Sequence, residues 1–396
     1  MRQLYLDSNS DVSDEVLRML SANSPNGILF PSLRELTWKA RSYPLDRLFF
    51  SPHLTHFTFL CPSRSNRLSD RLVSNLTSVM LELRTSSLQS LRIDSHVAGG
   101  QIPTCLKSAV SSAVLRCGPS LTYLSVPTLL SNVAVQHIMQ LPKLAKWVAR
   151  SGPPRIPDLS VSDAFPQLDT LELHTEASLE WIPFLGANAY RTFSGQGAHT
   201  PPNRGHCPKL TTLRCAVGVP LDAAFVSPVM LFRGLAHLVL RSPCSSKGGC
   251  AFHLTDEDIA EIATALPNLK EALFGFTCSA NSCRTTVSSL LFLSARCKSL
   301  RWLETHFNTA NLRRDLESMA ENPRLRDLYA LPRCRLEQLS VSYAPLQIQD
   351  EDYEPVIEGF FRIFPSFGGI NGIPVGWQKL SAKMWGWEWD PYEGFP

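Results

Sequence analysis

Hydrophobic residues recur along the chain in a six-residue phrase, with apolar side chains at the first, fourth and sixth positions. The fourth and sixth positions alternate with period two, so they point to one side of a short strand. The first position lies in the turn that enters the strand and fills the same core. The phrase begins at Met1, Leu33, Leu54, Leu88, Leu121, Leu144, Leu168, Leu210, Leu235, Leu269, Leu300 and Leu336, and a degenerate copy begins at Phe367.

Helical patterns separate the phrases. Thr255-Asp256-Glu257-Asp258 resembles a helix capping box, and Ser69 and Ser13 are candidate caps of two further helices. A proline lead-in such as Phe30-Pro31-Ser32 precedes several phrases, and we expect it to end the helix and hold the chain extended into the strand. The predicted apolar helix stripes are Val16, Leu17 and Leu20; Leu72, Val73, Leu76, Val79 and Met80; and Ile259, Ile262, Ala263 and Leu266.

This alternation of strand and helix predicts a leucine-rich-repeat solenoid. It is an α/β horseshoe, with a parallel sheet on the concave face and helices on the convex face. The first leucines lie 21 to 42 residues apart, so the repeats are irregular. Twelve phrases over nearly the whole chain are nevertheless hard to obtain by chance. We predict about twelve repeats over residues 1–375, followed by an aromatic-rich tail or cap over residues 376–396.

The two ends of the predicted solenoid differ. The phrase at Met1 leaves the N-terminal edge of the sheet without a cap, so a partner or an upstream segment is expected to cover it. The aromatic segment 385–392 is expected to fold back over the last repeat, or alternatively to dock into a partner. Polar breaks, the longest over residues 186–207, predict surface loops.

Composition narrows the class of protein. The chain has 396 residues, of which 44% are hydrophobic and 18% charged, and this argues against disorder. The net charge of +3 does not indicate a nucleic-acid or membrane-surface binder. The start lacks the apolar region of a signal peptide, and no run of 18 apolar residues predicts a transmembrane helix. Eleven irregularly spaced cysteines favour reduced thiols in a cytoplasmic or nuclear protein.

Candidate chemistry is sparse. The sequence contains no nucleophile elbow, zinc-protease helix, phosphate-binding loop or dinucleotide fingerprint, so we predict neither an enzyme nor a cofactor. Cysteines 244, 250, 278 and 283, with His253, carry the ligand types that hold zinc. Their Cys-x5-Cys and Cys-x4-Cys spacings lie at or beyond the usual range. We therefore expect ordinary loop cysteines, with zinc or a disulfide as alternatives.

The repeats and lead-ins resemble those of the fungal F-box/leucine-rich-repeat proteins, which are related to ribonuclease-inhibitor-like repeats. In that family an N-terminal F-box binds the Skp-type adaptor of a cullin ubiquitin ligase, while the repeats recruit a substrate. The segments that carry the resemblance are Phe30-Pro31-Ser32-Leu33, Phe165-Pro166-Gln167-Leu168, Cys207-Pro208-Lys209-Leu210, Leu266-Pro267-Asn268-Leu269 and Cys297-Lys298-Ser299-Leu300.

No F-box pattern precedes residue 30. The resemblance therefore implies the substrate-recognition part of such a receptor without its F-box, with a Skp-type adaptor bound only through a missing upstream segment. Alternatives are a binding scaffold outside any ligase, a truncated fragment, or an enzyme or zinc protein with its site in the loop insertions.

A protein partner is expected on the concave sheet face, where residues flanking the fourth phrase position, and the residue that follows the sixth, point away from the core. Arginine and aromatic residues dominate protein interfaces, whereas the alternative is an ordinary solvated sheet face. The predicted partner-binding residues are Arg92, Tyr123, Arg150, Glu172, Arg214, His237, Arg241, Trp302, Glu304 and His306.

Overall fold

The structure is a computed structural model whose described residues form two compact units. Unit 1 comprises Met1–Glu176 with Ala198–Leu210, and unit 2 comprises Ala177–Gly197 with Thr211–Pro396. The described residues are 2–6, 14–24, 28–39, 49–60, 70–83, 87–94, 103–127, 130–149, 164–175, 207–218, 220–242, 251–275, 283–329, 331–341, 346, 348–372 and 375–386.

Unit 1 is a parallel sheet in which each strand pairs with the next strand along the chain. Its strands are β1 Gln3–Leu6, β2 Glu35–Lys39, β3 His56–Leu60, β4 Ser90–Asp94, β5 Tyr123–Val126, β6 Lys146–Ala149 and β7 Thr170–Thr175. The helices described between them are α1 Asp14–Asn23, α2 Asp70–Glu82, α3 Thr104–Leu115 and α4 Asn132–Met139.

Unit 2 repeats this arrangement, again with every strand parallel to the next. Its strands are β8 Thr212–Val217, β9 His237–Arg241, β10 Glu271–Phe274, β11 Trp302–Thr305, β12 Gln338–Ser340 and β13 Ile370–Asn371. Its described helices are α5 Ala223–Val226, α6 Asp256–Ala265, α7 Ser288–Arg296, α8 Leu312–Glu321, α9 Pro323–Tyr329, α10 Tyr353–Ile363 and α11 Val375–Met384, with 3-10 turns at Val229–Leu231 and Asp350–Asp352.

The strand register confirms the predicted phrase, because its fourth-position residues are direct partners across each sheet. These residues are Leu4, Leu36, Phe57, Leu91, Leu124, Trp147 and Leu171 in unit 1. They are Leu213, Leu238, Ala272, Leu303, Leu339 and Ile370 in unit 2. The weak phrase at Leu144 and the degenerate one at Phe367 therefore belong to the same series. The fold is an α/β leucine-rich-repeat solenoid.

Burial alternates along the strands as the phrase requires. In β2, Leu36 and Trp38 are buried, whereas the intervening Thr37 is partly exposed. First-position leucines such as Leu33 and Leu88 are 0% exposed. Each fully buried side chain of this kind contributes about 1.5–3 kcal/mol relative to an exposed one, so the repeated leucines account for the stacking of the repeats.

The proline lead-in differs from the prediction. The Leu33 amide donates a hydrogen bond to the Phe30 carbonyl at 3.0 Å, and the Leu168 amide donates to the Phe165 carbonyl at 3.2 Å. These are four-residue turns with proline second, a position that suits its fixed φ. The chain therefore turns into the strand, and the predicted extended lead-in is wrong.

The helix predictions are confirmed where the residues are described, with one exception. The Thr255 hydroxyl accepts from the Asp258 amide at 3.3 Å, and the Asp258 carboxylate accepts from the Thr255 amide at 2.8 Å, as a capping box requires. The predicted caps at residues 13 and 69 lie outside the described residues. In α1, however, Val16 and Leu20 are 46% and 37% exposed, so these two residues of the predicted stripe are not buried.

The C-terminal helix of the described chain packs into the last repeat. Trp377 on α11 is 0% exposed, and its ring centroid lies 5.9 Å from that of Phe307 and 6.3 Å from that of Phe360. Trp385 is 42% exposed. Residues 387–396 lie outside the described residues, so the cap formed by the aromatic tail stays a prediction. No described helix combines the length and the hydropathy needed to cross a bilayer.

Candidate protein-binding surface on the exposed sheet face

The strand residues that point away from the leucine core form what we call the exposed sheet face of each unit. Its first row comes directly before the fourth phrase position, and its second row comes directly after it. In unit 1 the rows are Gln3, Glu35, His56, Ser90, Tyr123, Lys146 and Thr170, then Tyr5, Thr37, Thr58, Arg92, Ser125, Val148 and Glu172. In unit 2 they are Thr212, His237, Glu271, Trp302 and Gln338, then Arg214, Val239, Leu273, Glu304, Ser340 and Asn371.

Most of the predicted partner-binding residues lie on these faces. Arg150 lies outside the described residues. Those on the exposed sheet face are Arg92, Tyr123 and Glu172 in unit 1 and Arg214, His237, Arg241, Trp302 and Glu304 in unit 2. Their role in binding stays a prediction.

His306 is not on the surface, and its predicted exposure is wrong. The side chain is 2% exposed, and its Nδ1 is buried without a hydrogen-bond partner. On β11 the side chains of Trp302 and Glu304 point outward, and regular alternation would place His306 on the same face. The strand ends at Thr305, so the alternation stops before His306. Gly275, with a φ of +87°, leaves room for the ring, because a Cβ there would lie 2.9 Å from the His306 ring. Burial lowers the pKa of His306 to about 4.

Charged side chains of unit 1 are paired with one another on the exposed sheet face. The Lys146 ammonium lies 2.7 Å from the Glu172 carboxylate and 5.8 Å from the centroid of the Tyr123 ring. The Arg92 Nε donates to the buried Asp94 carboxylate at 2.6 Å. We call these five residues the Tyr123 cluster. Each of its two cations therefore has an intramolecular counter-ion.

The side chains of the Tyr123 cluster reach across the sheet. Burial alone lowers the pKa of Arg92, but the hydrogen bond and charge of Asp94, with smaller contributions from Tyr123 and Glu172, raise it overall. Ser125 and Val148, the second-row residues of the strands between Arg92 and Glu172, are only 1% and 3% exposed.

Unit 2 presents a different arrangement around Trp302, which is 37% exposed. Glu271 and Gln338 are its register partners on β10 and β12. Leu273 in the second row of β10 is 3% exposed, and Glu304 follows Trp302 two residues along β11. We call these five residues the Trp302 patch. A large aromatic beside apolar and charged neighbours has the composition of a protein-interface core and its rim.

Two residues beside the aromatic side chains were absent from the predicted site. Lys146 is the register partner of Tyr123, and Glu271 is the register partner of Trp302. The Glu271 carboxylate also lies 3.0 Å from the His237 ring. Aligning the phrases in sequence would have found both, because each residue directly precedes a fourth position.

The candidate zinc ligands are only partly described. Cysteines 244, 250 and 278 lie outside the described residues, whereas Cys283 is buried and His253 is exposed. Among the described residues, no three side chains of metal-ligating type come together. Burial raises the pKa of the described Cys207 and Cys215 thiols to about 12, which disfavours the reactive thiolate.

Comparison with known proteins gives little further information. No family model matches the chain, and no curated protein sequence matches it. Among solved structures, the crystal structure of the Rad7 and Elc1 complex in yeast is similar over 90% of this chain and 81% of the matched chain. The identity is 15% and the TM-score is 0.38. The fold assignment rests on the strand register and the repeated phrase.

Proposed function

We propose that this chain is a protein-binding scaffold that recognises its partner through the exposed sheet face and performs no catalysis itself. The observation that carries the proposal is the Trp302 patch, where a tryptophan side chain remains more than a third exposed on a regular strand. Tryptophan is among the residues most enriched at the energetic centres of interfaces. Glu304 lies two residues along the same strand and adds a charged neighbour, whereas Leu273 in the second row of β10 is buried.

The sheet is well suited to this role because its geometry is fixed before binding. Each inner strand uses its backbone hydrogen bonds in the sheet, so side chains alone are left to make specific contacts. The leucine core holds those side chains in rows on rigid strands. A surface that is ordered in advance loses little conformational entropy on binding.

The finer form of the proposal is a substrate receptor of F-box type. Its support is the resemblance of the repeats and lead-ins to the F-box/leucine-rich-repeat proteins. On this hypothesis the repeats hold a substrate, and a Skp-type adaptor joins the complex through a segment outside the repeats.

Affinity purification of the tagged chain with mass spectrometry tests both levels of the proposal. We expect a set of proteins that Trp302→Glu loses and Thr264→Glu, which adds the same charge on the exposed surface of α6, retains. Equal recovery with both variants would contradict recognition by the exposed sheet face. Recovery of a Skp-type adaptor and a cullin supports the receptor form, whereas reproducible partners without them leave a scaffold outside any ligase.

A further inference from the structure

The phrase leucines of the first strand in unit 1 are less covered than those of the following strands. Leu4 and Leu6, at the fourth and sixth phrase positions of β1, are partly exposed. At the same positions of β2, Leu36 and Trp38 are 1% and 3% exposed. Strand β2 covers one side of β1, and among the described residues no strand pairs with the other side. The core of unit 1 is therefore open at this edge.

Large apolar side chains are exposed together in this first repeat. Tyr5, which lies between the two leucines on β1, is 57% exposed, and Met19 and Leu20 on the following helix α1 are 64% and 37% exposed. Apolar side chains exposed in a group are typical of an interface rather than of ordinary solvated surface. The first repeat therefore offers apolar surface that another chain can cover.

The outer side of β1 also presents backbone groups. The Glu35 amide donates a hydrogen bond to the Arg2 carbonyl at 3.0 Å, so this carbonyl points towards β2. The direction of the backbone groups alternates along a strand, and those of Gln3 and Tyr5 therefore point away from β2. A sheet edge that presents N–H and C=O groups is a template for pairing with a further strand.

The residues of β1 are self-complementary in one antiparallel register. Directly opposite residues of an antiparallel pair have their side chains on the same face, so a two-fold axis must pass through a residue. With the axis at Tyr5, tyrosine lies opposite tyrosine, and Leu4 of each copy lies opposite Leu6 of the other. Moving the axis to Leu4 would set Leu6 against the charged Arg2. The order Leu4-Tyr5-Leu6 thus favours Tyr5 as the centre.

We propose that β1 pairs with β1 of a second copy of this chain, antiparallel and with Tyr5 at the two-fold axis, so that one sheet continues through unit 1 of both copies. The pairing covers Leu4, Tyr5 and Leu6 and gives the edge backbone groups their partners. Such an interface uses the same surface of each copy, so assembly closes at two chains. The inference concerns self-association and does not depend on the proposed function.

Light scattering coupled to gel filtration tests this inference on the full chain. We expect the mass of two chains at about 100 µM and a fall towards the mass of one chain on dilution. Tyr5→Lys sets two like charges against each other at the axis and should weaken the dimer about ten-fold or more. Thr58→Lys adds the same charge on the same face two strands inward, and this matched control should leave the dimer unchanged.

A cysteine at the axis tests the register. The Cα atoms of a hydrogen-bonded antiparallel pair lie about 5.5 Å apart, within the range that a disulfide bridges. Tyr5→Cys should therefore give a covalent dimer on oxidation with copper phenanthroline, seen on a non-reducing gel. The wild type and Thr58→Cys, treated in the same way, should not give this product, and they control for the native cysteines.

Three results would overturn the inference. The first is the mass of a single chain at about 100 µM. The second is a dimer that Tyr5→Lys does not weaken, because it would form through another surface. The third is a dimer of Tyr5→Cys that oxidation does not link, because the antiparallel register places the two cysteines opposite each other. Unaltered thermal unfolding of each variant confirms that its fold is intact.

Discussion

The exposed sheet faces of the two units are built from the same phrase but differ in the side chains that stand beside their aromatic residues. In unit 1, Arg92 and Lys146 are each paired with a carboxylate, and the second-row residues Ser125 and Val148 between them are buried. In unit 2, Trp302 is more than a third exposed, and its register partners are Glu271 and Gln338. A partner that used the cations of unit 1 would first have to separate existing ion pairs.

This difference changes how a sequence-based interface prediction should be interpreted. Arginine and tyrosine are interface-type residues, and their presence in unit 1 favoured a binding surface there. Pairing within the chain lowers what such residues can contribute to a partner, since a new contact must replace an old one. Trp302 is exposed on an inner strand, whereas the more exposed Tyr5 of unit 1 lies on the first strand, β1. This exposure, rather than the number of arginines, favours unit 2.

The largest expected effect tests whether the two sides of one strand differ as the fold requires. Leu303→Ala removes a side chain that is 0% exposed and should lower the free energy of unfolding by about 2–5 kcal/mol. Trp302→Ala, one residue earlier, should cost about 1 kcal/mol or less. Urea unfolding measures both, and equal costs would contradict the assignment of the exposed sheet face.

The second prediction is that a fall in pH lowers the stability of unit 2 more than that of unit 1. The pKa of His306 is about 4 in the folded chain, below its ordinary value of 6.5, so the unfolded chain binds the extra proton first. The stability that this group contributes is complete above about pH 6.5 and is lost as the pH falls towards 4, by up to about 3 kcal/mol.

Hydrogen exchange at pH 7 and pH 4.5 locates that loss. We expect amides of β11 in unit 2 to lose protection at the lower pH more than amides of β4 in unit 1. His306→Gln, which cannot titrate, should reduce the difference between the two pH values. An unchanged difference in this variant would show that another group is responsible.

The third prediction concerns the Tyr123 cluster. Arg92→Met keeps much of the side-chain volume but removes the cation from Asp94, whose side chain is 6% exposed. Because Arg92 is itself 46% exposed, we expect a loss of about 1–2 kcal/mol, below that of a fully buried pair. The double variant Arg92→Met with Asp94→Asn should recover part of this loss, and an additive result would rule out the pairing.

The smallest effect is expected for the pair Lys146 and Glu172. The lysine side chain is 37% exposed, so solvent screening should limit the coupling energy to about 1 kcal/mol or less. A double-mutant cycle with Lys146→Met and Glu172→Gln measures it. The coupling should fall in high salt, and a salt-independent value would point to packing rather than charge.

The phrase in the sequence was sufficient to predict the strands and their register. Even the weak copy at Leu144 and the degenerate one at Phe367 align with their neighbours, because each must place an apolar residue in a continuous core. The helix boundary at Thr255 was also predictable, since a capping box is a local signal that needs no tertiary information.

The candidate site was predictable only in part, because its properties depend on side-chain packing as well as on strand position. Alternation places Arg92 and Trp302 on the exposed face, but it gives no sign that the Arg92 side chain turns back onto Asp94 or that Trp302 remains more than a third exposed. His306 failed for a related reason. Its burial depends on Gly275 in the preceding repeat, whose missing side chain makes room for the ring.

The most direct test of the central claim is photo-crosslinking from each side of unit 2. The photoreactive amino acid benzoylphenylalanine is placed at Gln338 on the exposed sheet face or at Glu261 on α6, and the chain is irradiated in cells that express it. The account predicts a discrete crosslinked protein from position 338 that Trp302→Glu abolishes, and none that depends on Trp302 from position 261. Partner crosslinks from α6 alone, or a product from position 338 that persists with Trp302→Glu, would contradict recognition through the exposed sheet face.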